Sequence, residues 1–440
     1  ADLSFALSLG KSGLRILLVD QQNLDCIAKP QFDGRDIAMT HLSKTILTEL
    51  NVWQRFSEDI IHPLKEAKVI NGPIAINKHT FLKKPDLHFE RTDDAQAPLG
   101  YLVANYQIRQ ALYDQVCEYD NIEIVTGQQV NYVKAFANRG AVETNEYTIN
   151  ASLVVLADSR FSTTRRMMGL AAKMKDFGKV MIVCNMKHQL SHENIAQECF
   201  QYGCTCAILP LGEGYSSIVI TLSASEAKRL TDLPVADFNA QAQNMLDYRL
   251  GEMELITERY SYPLVGVISD RFIGKRFALI GDAAVGMHPI TAHGYNLGLR
   301  SADTLAEQII KAQQGGKDIA SSWVLYNYEI RHQLLSKPLY EATNAIVGLY
   351  TNDKPLAKLA RKAEILIAAI DVFSSQGFHK AGIADIAKKL NIGHGAVYRY
   401  FKNKRDIFNA ILADLLGQMA EIVMQDPPNT DSLEQYPAQL

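Results

Sequence analysis

The sequence predicts an α/β protein in three parts: a parallel sheet with crossover helices, an antiparallel sheet inserted into it, and an all-α helix-turn-helix unit after both. Three observations carry this. Short apolar strands alternate with amphipathic helices over residues 1–178 and again over 267–360, the texture of a parallel sheet covered by helices. Between them, residues 179–266 hold long strand-like segments separated by turn chemistry. After residue 361 the strands stop, and three short helical periods follow, broken by glycine. A chain of 440 residues is long enough for two or three domains, and 47% apolar with 21% charged residues is a globular composition. The net charge of −3 gives no global attraction to nucleic acid or an anionic membrane, so any such contact must be local.

In chain order, Leu3 to Leu9 make a short apolar helix, Gly13-Leu14 turns, and RILLVD is a strand ending in Asp20. The loop FDGRDIAMTHLS carries Arg35 and leads into a helix over SKTILTELNVWQRF. A further helix spans Asn105–Cys117, with Gln107 and Arg109, before IEIVTG and LVVLAD return to the sheet. From Lys179, the segments VMIVCNMKH, TCAILPLGEGYSSIVITLS and MELITERYSYPLV read as antiparallel strands, with a P-L-G-E-G turn at 210–214. Cys199, Cys204 and Cys206 cluster, but no His or fourth Cys stands at zinc-type spacing. They read as reduced thiols packed as small hydrophobes, with no metal. The chain has no run of 18 apolar residues, and its first twenty residues lack a signal-peptide core. A cytoplasmic protein without a transmembrane segment is expected.

Residues 279 to 299, LIGDAAVGMHPITAHGYNLGL, are the most informative stretch. A strand (Phe277–Ile280) runs into Gly281-Asp282 and a small-residue loop with His288-Pro289; the turn His293-Gly294 then opens a helix through Asn296, Gly298 and Leu299. Gly281 lets backbone approach a ligand closely, and Asp282 is an acceptor for ribityl hydroxyls. The helix beginning near Gly294 aims its N-terminal amides and positive dipole end forward. A reduced flavin is negative at N1 and the adjacent carbonyl, so such a terminus suits its ring. Gly-Asp alone fits any strand–turn–helix; Asp, Pro and spaced glycines together favour the flavin.

This stretch resembles the GD motif of group A flavoprotein monooxygenases, specifically the aromatic-ring hydroxylases of ubiquinone biosynthesis. Their second motif, D-G-x-x-S-x-x-R after an apolar strand, reads here as LVVLAD-SRFSTTRR: Asp158, Ser162 and Arg165 match, and Ser159 stands where most members have Gly. Of the first motif only the second half is present, ending in the acidic residue Asp20. Laid on the chain, that pattern puts Ala1 between the second and third glycines and Asp2 at the third. The expectation is an N-terminus that begins inside the fingerprint, without the first strand, and with an Asp that repels a pyrophosphate.

The resemblance runs from residue 1 to about 360 and implies an FAD-binding Rossmann-like sheet with an inserted substrate-domain sheet. It implies that Asp20 meets the adenosine ribose, Arg35 the flavin's phosphate or ribityl region, and Arg109 the adenine–ribityl side, with Asp158, Gly281, Asp282, Pro289, Gly294 and Asn296 completing the FAD site. For Arg35 a plain surface arginine remains an equal alternative. His288 and His293 are implied as flavin contacts rather than bases; His293 stands where many relatives have Gln. NAD(P)H as reductant, O2, and a polyprenylated phenol or quinol substrate follow from the same resemblance, as does peripheral contact with the inner face of a membrane. The chemistry belongs to the flavin, so no catalytic side chain is named.

From 361 to 412 the first helix places Leu366, Ala369, Ile370 and Phe373 on one face, Ile383, Ile386, Ala387 and Leu390 form a second, Asn391-Ile392-Gly393 turns, and His394 to Phe401 makes a third. With its G-F, D-I-A, A-V-Y-R-Y-F and F-K-N-K, the pattern resembles the DNA-binding domain of TetR-type repressors. That resemblance implies that His394 and Gly395 begin the recognition helix and that Tyr398 and Lys404 contact phosphates, with Arg399 and Lys402 weaker candidates. This segment holds nine Lys/Arg against four Asp/Glu, while residues 413–440, an acidic tail, hold five acids and neither Lys nor Arg. TetR-type proteins carry a much longer region there for inducer binding and dimerisation. Three functions are therefore carried forward: a hydroxylase with an appended DNA-binding domain, a DNA-binding transcription regulator with a flavin-type sensor, and an inactive fusion of two truncated genes.

Overall fold

Phe5, Ala6, Leu7 and Leu9 bury one side of the first helix, α1 (Asp2–Leu9), and Gly13, at φ 75°, turns the chain into β1 (Ile16–Val19). These come from a computed structural model that describes the chain except residues 72–73, 78–79, 83–86, 90–96, 202–203, 351–355, 379, 391–396, 399 and 412–440. Next come β2 (Asp36–Met39) and α2 (His41–Glu49), which the Thr40 side chain caps by accepting from the Ser43 amide at 3.2 Å. The sequence pattern predicts this helix to residue 56, but it ends at Glu49. Asn51 takes the left-handed φ of 57°, and the Val52 and Asn51 amides fold back onto the Leu47 and Thr48 carbonyls, a Schellman-type stop.

β3 (Gly100–Ala104) pairs antiparallel with β2 and runs into α3 (Asn105–Val116). β4 (Ile122–Val125) lies parallel to β1, Ile16 opposite Ile122. The other parallel pair joins β5 (Val154–Leu156), which precedes the short helix α4 (Thr163–Met167), to a strand near the GD motif. Among the described residues no ladder joins the two pairs. Leu17, in the middle of β1, is 37% exposed, where a strand inside a covered parallel sheet would bury both faces.

The insertion is a large antiparallel sheet. Its central strands are β6 (Ala172–His188), β7 (Ile195–Gln201), β8 (Cys204–Pro210), β9 (Tyr215–Ser223), β10 (Tyr260–Ser269) and β12 (Val285–Gly286), in the order β12–β10–β6–β9–β8–β7. β11 (Phe277–Leu279) belongs to the parallel pair with β5. Side chains alternate across each strand. Ile182, Cys184, Met186, Cys206, Ile208, Ile218 and Ile220 therefore share one face, buried against Ala227, Leu230, Phe238 and Ala242 of the helices α5 (Ala224–Thr231) and α6 (Val235–Met245). The register aligns Asn185, Ser217 and Leu209 in one row of the opposite face, and Val183, Val219 and Ala207 in the next.

After β12 come α7 (Gly294–Gln314) and α8 (Ser322–Tyr350), which contains Pro338. The chain divides into two compact units: Ala1–Ile70, Asp86–Phe200 and Cys204–Lys337 in the first, Asn71–Pro85, Gln201–Gly203 and Pro338–Leu440 in the second. In the second, α9 (Leu356–Gln376) and α10 (Ile383–Lys389) build a core of Ile365, Ala368, Ala369, Val372, Ile383, Ile386 and Ala387 with Val397, Phe401, Ile407 and Ile411. The phase of α9 differs from the sequence reading. Its buried row is Ile365, Ala368, Ala369 and Val372, with Leu366 and Phe373 at the margin, and Ile370 is 44% exposed. The turn 391–393, His394, Gly395 and the tail 413–440 lie outside the described residues. No helix among the described residues is long and apolar enough to cross a membrane.

Candidate active site

The site is assembled around Gly281. Its φ is +58°, and a Cβ there would lie 2.8 Å from the Ala1 side chain. Its amide donates to Ser301 Oγ at 3.0 Å, and a Cβ on Gly298 would sit 3.5 Å from the Gly281 Cα. Two glycines thus let α7 back directly onto the GD turn. Asp282 is held by Arg160, whose Nε (3.1 Å) and Nη2 (2.7 Å) both donate to Oδ2 while Nη1 donates to the Val265 carbonyl (3.0 Å).

Asp158 accepts from Ser162 Oγ at 2.6 Å, and Ser162 Oγ in turn accepts from the Arg165 amide at 2.9 Å, capping α4. The buried Arg165 guanidinium then donates to the carbonyls of Ala283 (2.8 Å) and Arg160 (3.2 Å). The two motifs are clasped together by arginines, and Asp158 organises the clasp. Sequence reasoning missed Arg160: it lies inside the second motif, but nothing in its spacing separates it from Arg165 and Arg166 as the partner of Asp282.

Asp20 and Arg109 meet beyond the end of β1. Asp20 accepts from the Gln22 amide at 2.7 Å, and Arg109 Nη2 reaches Gln22 Oε1 at 3.4 Å. Burial pushes the Asp20 carboxyl up and nearby Asp2 adds to this, while Arg109 opposes it. Arg35 is paired with Asp33 at 2.5 Å and lies over the Tyr262 ring, 5.4 Å from its centroid. Asp33 also accepts from Asn105 Nδ2 at 2.7 Å. Burial alone would raise Asp33; the Arg35 bonds and charge outweigh it and hold the carboxyl low.

Before α7, His288 Nδ1 accepts from the Ile290 amide at 3.2 Å, starting the single turn Pro289–Thr291, in which Pro289 is exposed. That bond places the His288 proton on Nε2, which is buried with no partner among the described residues. Burial, helped by Lys175 and Arg160, lowers His288 to about 4, so the ring is neutral at physiological pH. Ala292 is left-handed at φ 52°. No side chain caps α7, and a Cβ on Gly294 would meet nothing within 4 Å. The start of α7 is therefore uncapped, with open space beside the Gly294 Cα.

The Asn296 side chain is tied to the protein. Nδ2 donates to the carbonyls of Ala38 (2.8 Å) and Ala292 (2.9 Å), and Oδ1 accepts from the Thr40 amide (3.1 Å) and Ser43 Oγ (2.6 Å). Both ends of the side-chain amide are consumed by the protein, so the Asn296 side chain fixes β2 and the Ala292 turn to α7, and its backbone N–H in the first helical turn is the group that remains for a cofactor.

Three further polar residues escaped sequence reasoning. Asp36 Oδ2, Ser217 Oγ and Asn185 Oδ1 are each buried without a hydrogen-bond partner among the described residues. The Ser217 hydroxyl faces the Asp36 carboxyl, and Asn185 and Ser217 are cross-strand partners. Burial raises Asp36 to about 7, with Asp33 adding to the shift. In the second unit, Tyr398 is 56% exposed. Lys404 differs from expectation: its ammonium donates to the carbonyls of Phe378 (2.6 Å) and Ala381 (2.9 Å), which commits it to the fold rather than to a phosphate.

An FAD fits these residues. The uncapped helix terminus, with open space beside it, suits the anionic edge of the ring, and Asp20 with Arg109 offers an acceptor and a cation for the adenosine end. The family described as FAD binding domain matches residues 3–342, and the bacterial regulatory proteins of the tetR family match residues 365–411. Ubiquinone hydroxylase UbiM of Neisseria meningitidis is 44% identical over 366 residues, 82% of this chain and 77% of that protein. Ubiquinone hydroxylase UbiL of Rhodospirillum rubrum is 28% identical over 363 residues, 82% of each chain. Among solved structures, p-nitrophenol 4-monooxygenase PnpA from Pseudomonas putida is similar with a TM-score of 0.65 at 17% identity, covering 96% of this chain and 95% of that one. PqsL, a probable FAD-dependent monooxygenase from Pseudomonas aeruginosa, gives 0.64 at 16%, covering 82% and 96%. At such identities the two structures speak for the fold.

Proposed function

Because the chain belongs to the FAD-binding-domain family of flavoprotein monooxygenases and carries a tetR-family domain after it, we propose that it hydroxylates the ring of a polyprenylated phenol or quinol, a precursor of ubiquinone type. As an FAD-dependent monooxygenase it uses NAD(P)H and O2. Bound FAD supplies the activation of dioxygen; the chain's part is to bind, orient and keep out water. The amides opening α7 stabilise negative charge on the ring. Asp20 and Arg109 take the ribose end, and Asp282, steadied by Arg160, keeps an acceptor for ribityl hydroxyls. Arg35, tied to Asp33, stands at the ribityl side. The buried Nε2–H of His288 is a donor for a flavin oxygen or nitrogen.

The observation that carries this reading is the uncapped, unobstructed start of α7 beside the Arg160–Asp282 pair. Peripheral contact with a membrane would suit such a substrate; the exposed row Trp323, Tyr326, Ile330 and Leu334 on α8 supports it. The test is NADH or NADPH oxidation by the full chain with FAD, with and without 2-prenylphenol, and mass analysis of the product. Phenol-dependent oxidation with gain of one oxygen supports the reading; oxidation indifferent to the phenol contradicts it.

The tetR-family match and the exposed Tyr398 favour DNA binding by the second unit as an additional property. One copy of a helix-turn-helix gives weak, salt-sensitive binding without a preferred site. Fluorescence anisotropy on random and palindromic duplexes over a salt series checks this: similar affinities that fall steeply with salt are expected, and site-selective binding that survives moderate salt would make the chain a regulator.

A further inference from the structure

The odd-numbered face of the antiparallel sheet has the composition of a site for an aromatic ring. Val219, Ala207 and Leu209 are half-buried, small or apolar, and adjacent across the register. A ligand site is mostly apolar with a few placed polar groups. The polar groups here are Ser217 and Asn185 in the same rows, with Asp36 facing Ser217 from β2. All three carry a buried oxygen without a partner among the described residues. The Ser217 hydroxyl, turned toward Asp36, is the single O–H among these three buried oxygens, so the set lacks a donor that a ligand's own hydroxyl would bring. Asp36 is also well placed toward the cofactor site. It shares a face of β2 with Ala38, roughly 7 Å along the strand, and the Ala38 carbonyl is bonded to Asn296 in the first turn of α7.

We propose that Asp36 is the proton acceptor for the ring hydroxyl of the substrate, with Ser217 beside it positioning the same oxygen. In the step it performs, the O–H bond of the ring hydroxyl breaks, the proton passes to Asp36 Oδ2, and the electron pair stays on the phenolate oxygen, which enriches the ring. This rests on the hydroxylase reading above. Burial supports the role: an ordinary Asp is about six pKa units below a phenol, whereas Asp36 at about 7 is about three below. The groups around it are Asp33 and Arg35 on its own loop, paired to each other, Tyr262 from β10 at Arg35, and the uncharged Ser217 and Asn185 of the sheet.

The test compares binding of 2-prenylphenol and its methyl ether by calorimetry, on the full chain with saturating FAD, for the wild type, Asp36→Asn and Ser217→Ala. At pH 8 the wild type should prefer the phenol about tenfold, because a hydrogen bond to a charged acceptor is lost in the ether. Asp36→Asn should bring the ratio near one without weakening the ether, and Ser217→Ala should reduce it partly. The wild-type preference should also grow between pH 6 and 8 and be flat in Asp36→Asn, a readout that a merely structural role would not move. Equal binding of phenol and ether by the wild type, or an unchanged ratio in Asp36→Asn, overturns the assignment while leaving the hydroxylase reading in place. Binding of neither compound overturns both.

Discussion

Around the GD turn most polar side-chain atoms are paired by the protein itself: Arg160 with Asp282, Arg165 Nη1 and Nη2 with two carbonyls, the Asn296 side chain with four partners, Arg35 with Asp33; Arg165 Nε and His288 Nε2 are left without a partner among the described residues. On the sheet face reached from β2, the Asp36, Asn185 and Ser217 oxygens are buried with no partner among the described residues. Both regions belong to the first compact unit. A satisfied buried network rigidifies what it joins, whereas an unsatisfied buried atom costs about 1–3 kcal/mol until something arrives to meet it. The paired region is therefore a scaffold that holds its shape for a cofactor, and the unpaired one waits for a ligand. His288 links the two: Nδ1 is used by the scaffold and Nε2 is not.

If that contrast is right, breaking the paired side should be the costliest substitution. Arg165→Ala removes a buried guanidinium that satisfies two carbonyls and should destabilise the protein by about 3 kcal/mol. Urea denaturation would show it as a lower midpoint at unchanged slope; a loss under about 1 kcal/mol would mean the clasp between the motifs is ornamental.

Acid acts on the buried rings. His288 is depressed to about 4 and His332 to about 3, both chiefly by burial. The native state then binds fewer protons than the unfolded chain between the ordinary histidine value and those lowered values. Stability is present above about 6.5 and lost as pH falls through that window, by up to about 3 kcal/mol for His288 and about 5 kcal/mol for His332. Melting temperatures at pH 7.5 and 5 read the direction, and a chain equally stable at both would contradict it.

Asp36 has the opposite sign. Its raised pKa means the native state binds more protons, so ionising it lowers stability as pH rises through about 7. Asp36→Asn should melt higher than the wild type at pH 8, by about 1 kcal/mol, and the gain should shrink at pH 5; a variant less stable at pH 8 would make Asp36 a structural acid. The smallest effect is expected at Ala292, left-handed at φ 52° where glycine is at ease. Ala292→Gly relieves roughly 1 kcal/mol of strain and returns part of it as unfolded-state entropy, for a net gain of about 0.5 kcal/mol.

Much of the scaffold was legible because its signals are local. Gly281, Gly298 and the Ser162 cap announce close approach and a helix start through their own chemistry, and the P-L-G-E-G turn has glycines at positive φ at Gly212 and Gly214. What was not legible depends on side chains brought from elsewhere. The motif contains several arginines, and only the fold decides that Arg160 takes Asp282. Asn296 lies beside the flavin motif in sequence, yet its side-chain amide is used up by Thr40, Ser43, Ala38 and Ala292. The α9 periodicity allowed two neighbouring rows, and packing against α10 selects the one that leaves Ile370 outside. Asp36 reads as one more acid on a polar loop until the sheet closes over it.

The central claim is that the open start of α7 and the Arg160–Asp282 pair hold a flavin. Titrating FAD against the full chain and following quenching of flavin fluorescence tests it most directly. The account predicts saturable binding at micromolar concentration or tighter, about −8 kcal/mol, weakened at least tenfold by Arg160→Ala. Free FAD that stays fully fluorescent as the protein is added in excess, or binding indifferent to Arg160→Ala, would contradict it.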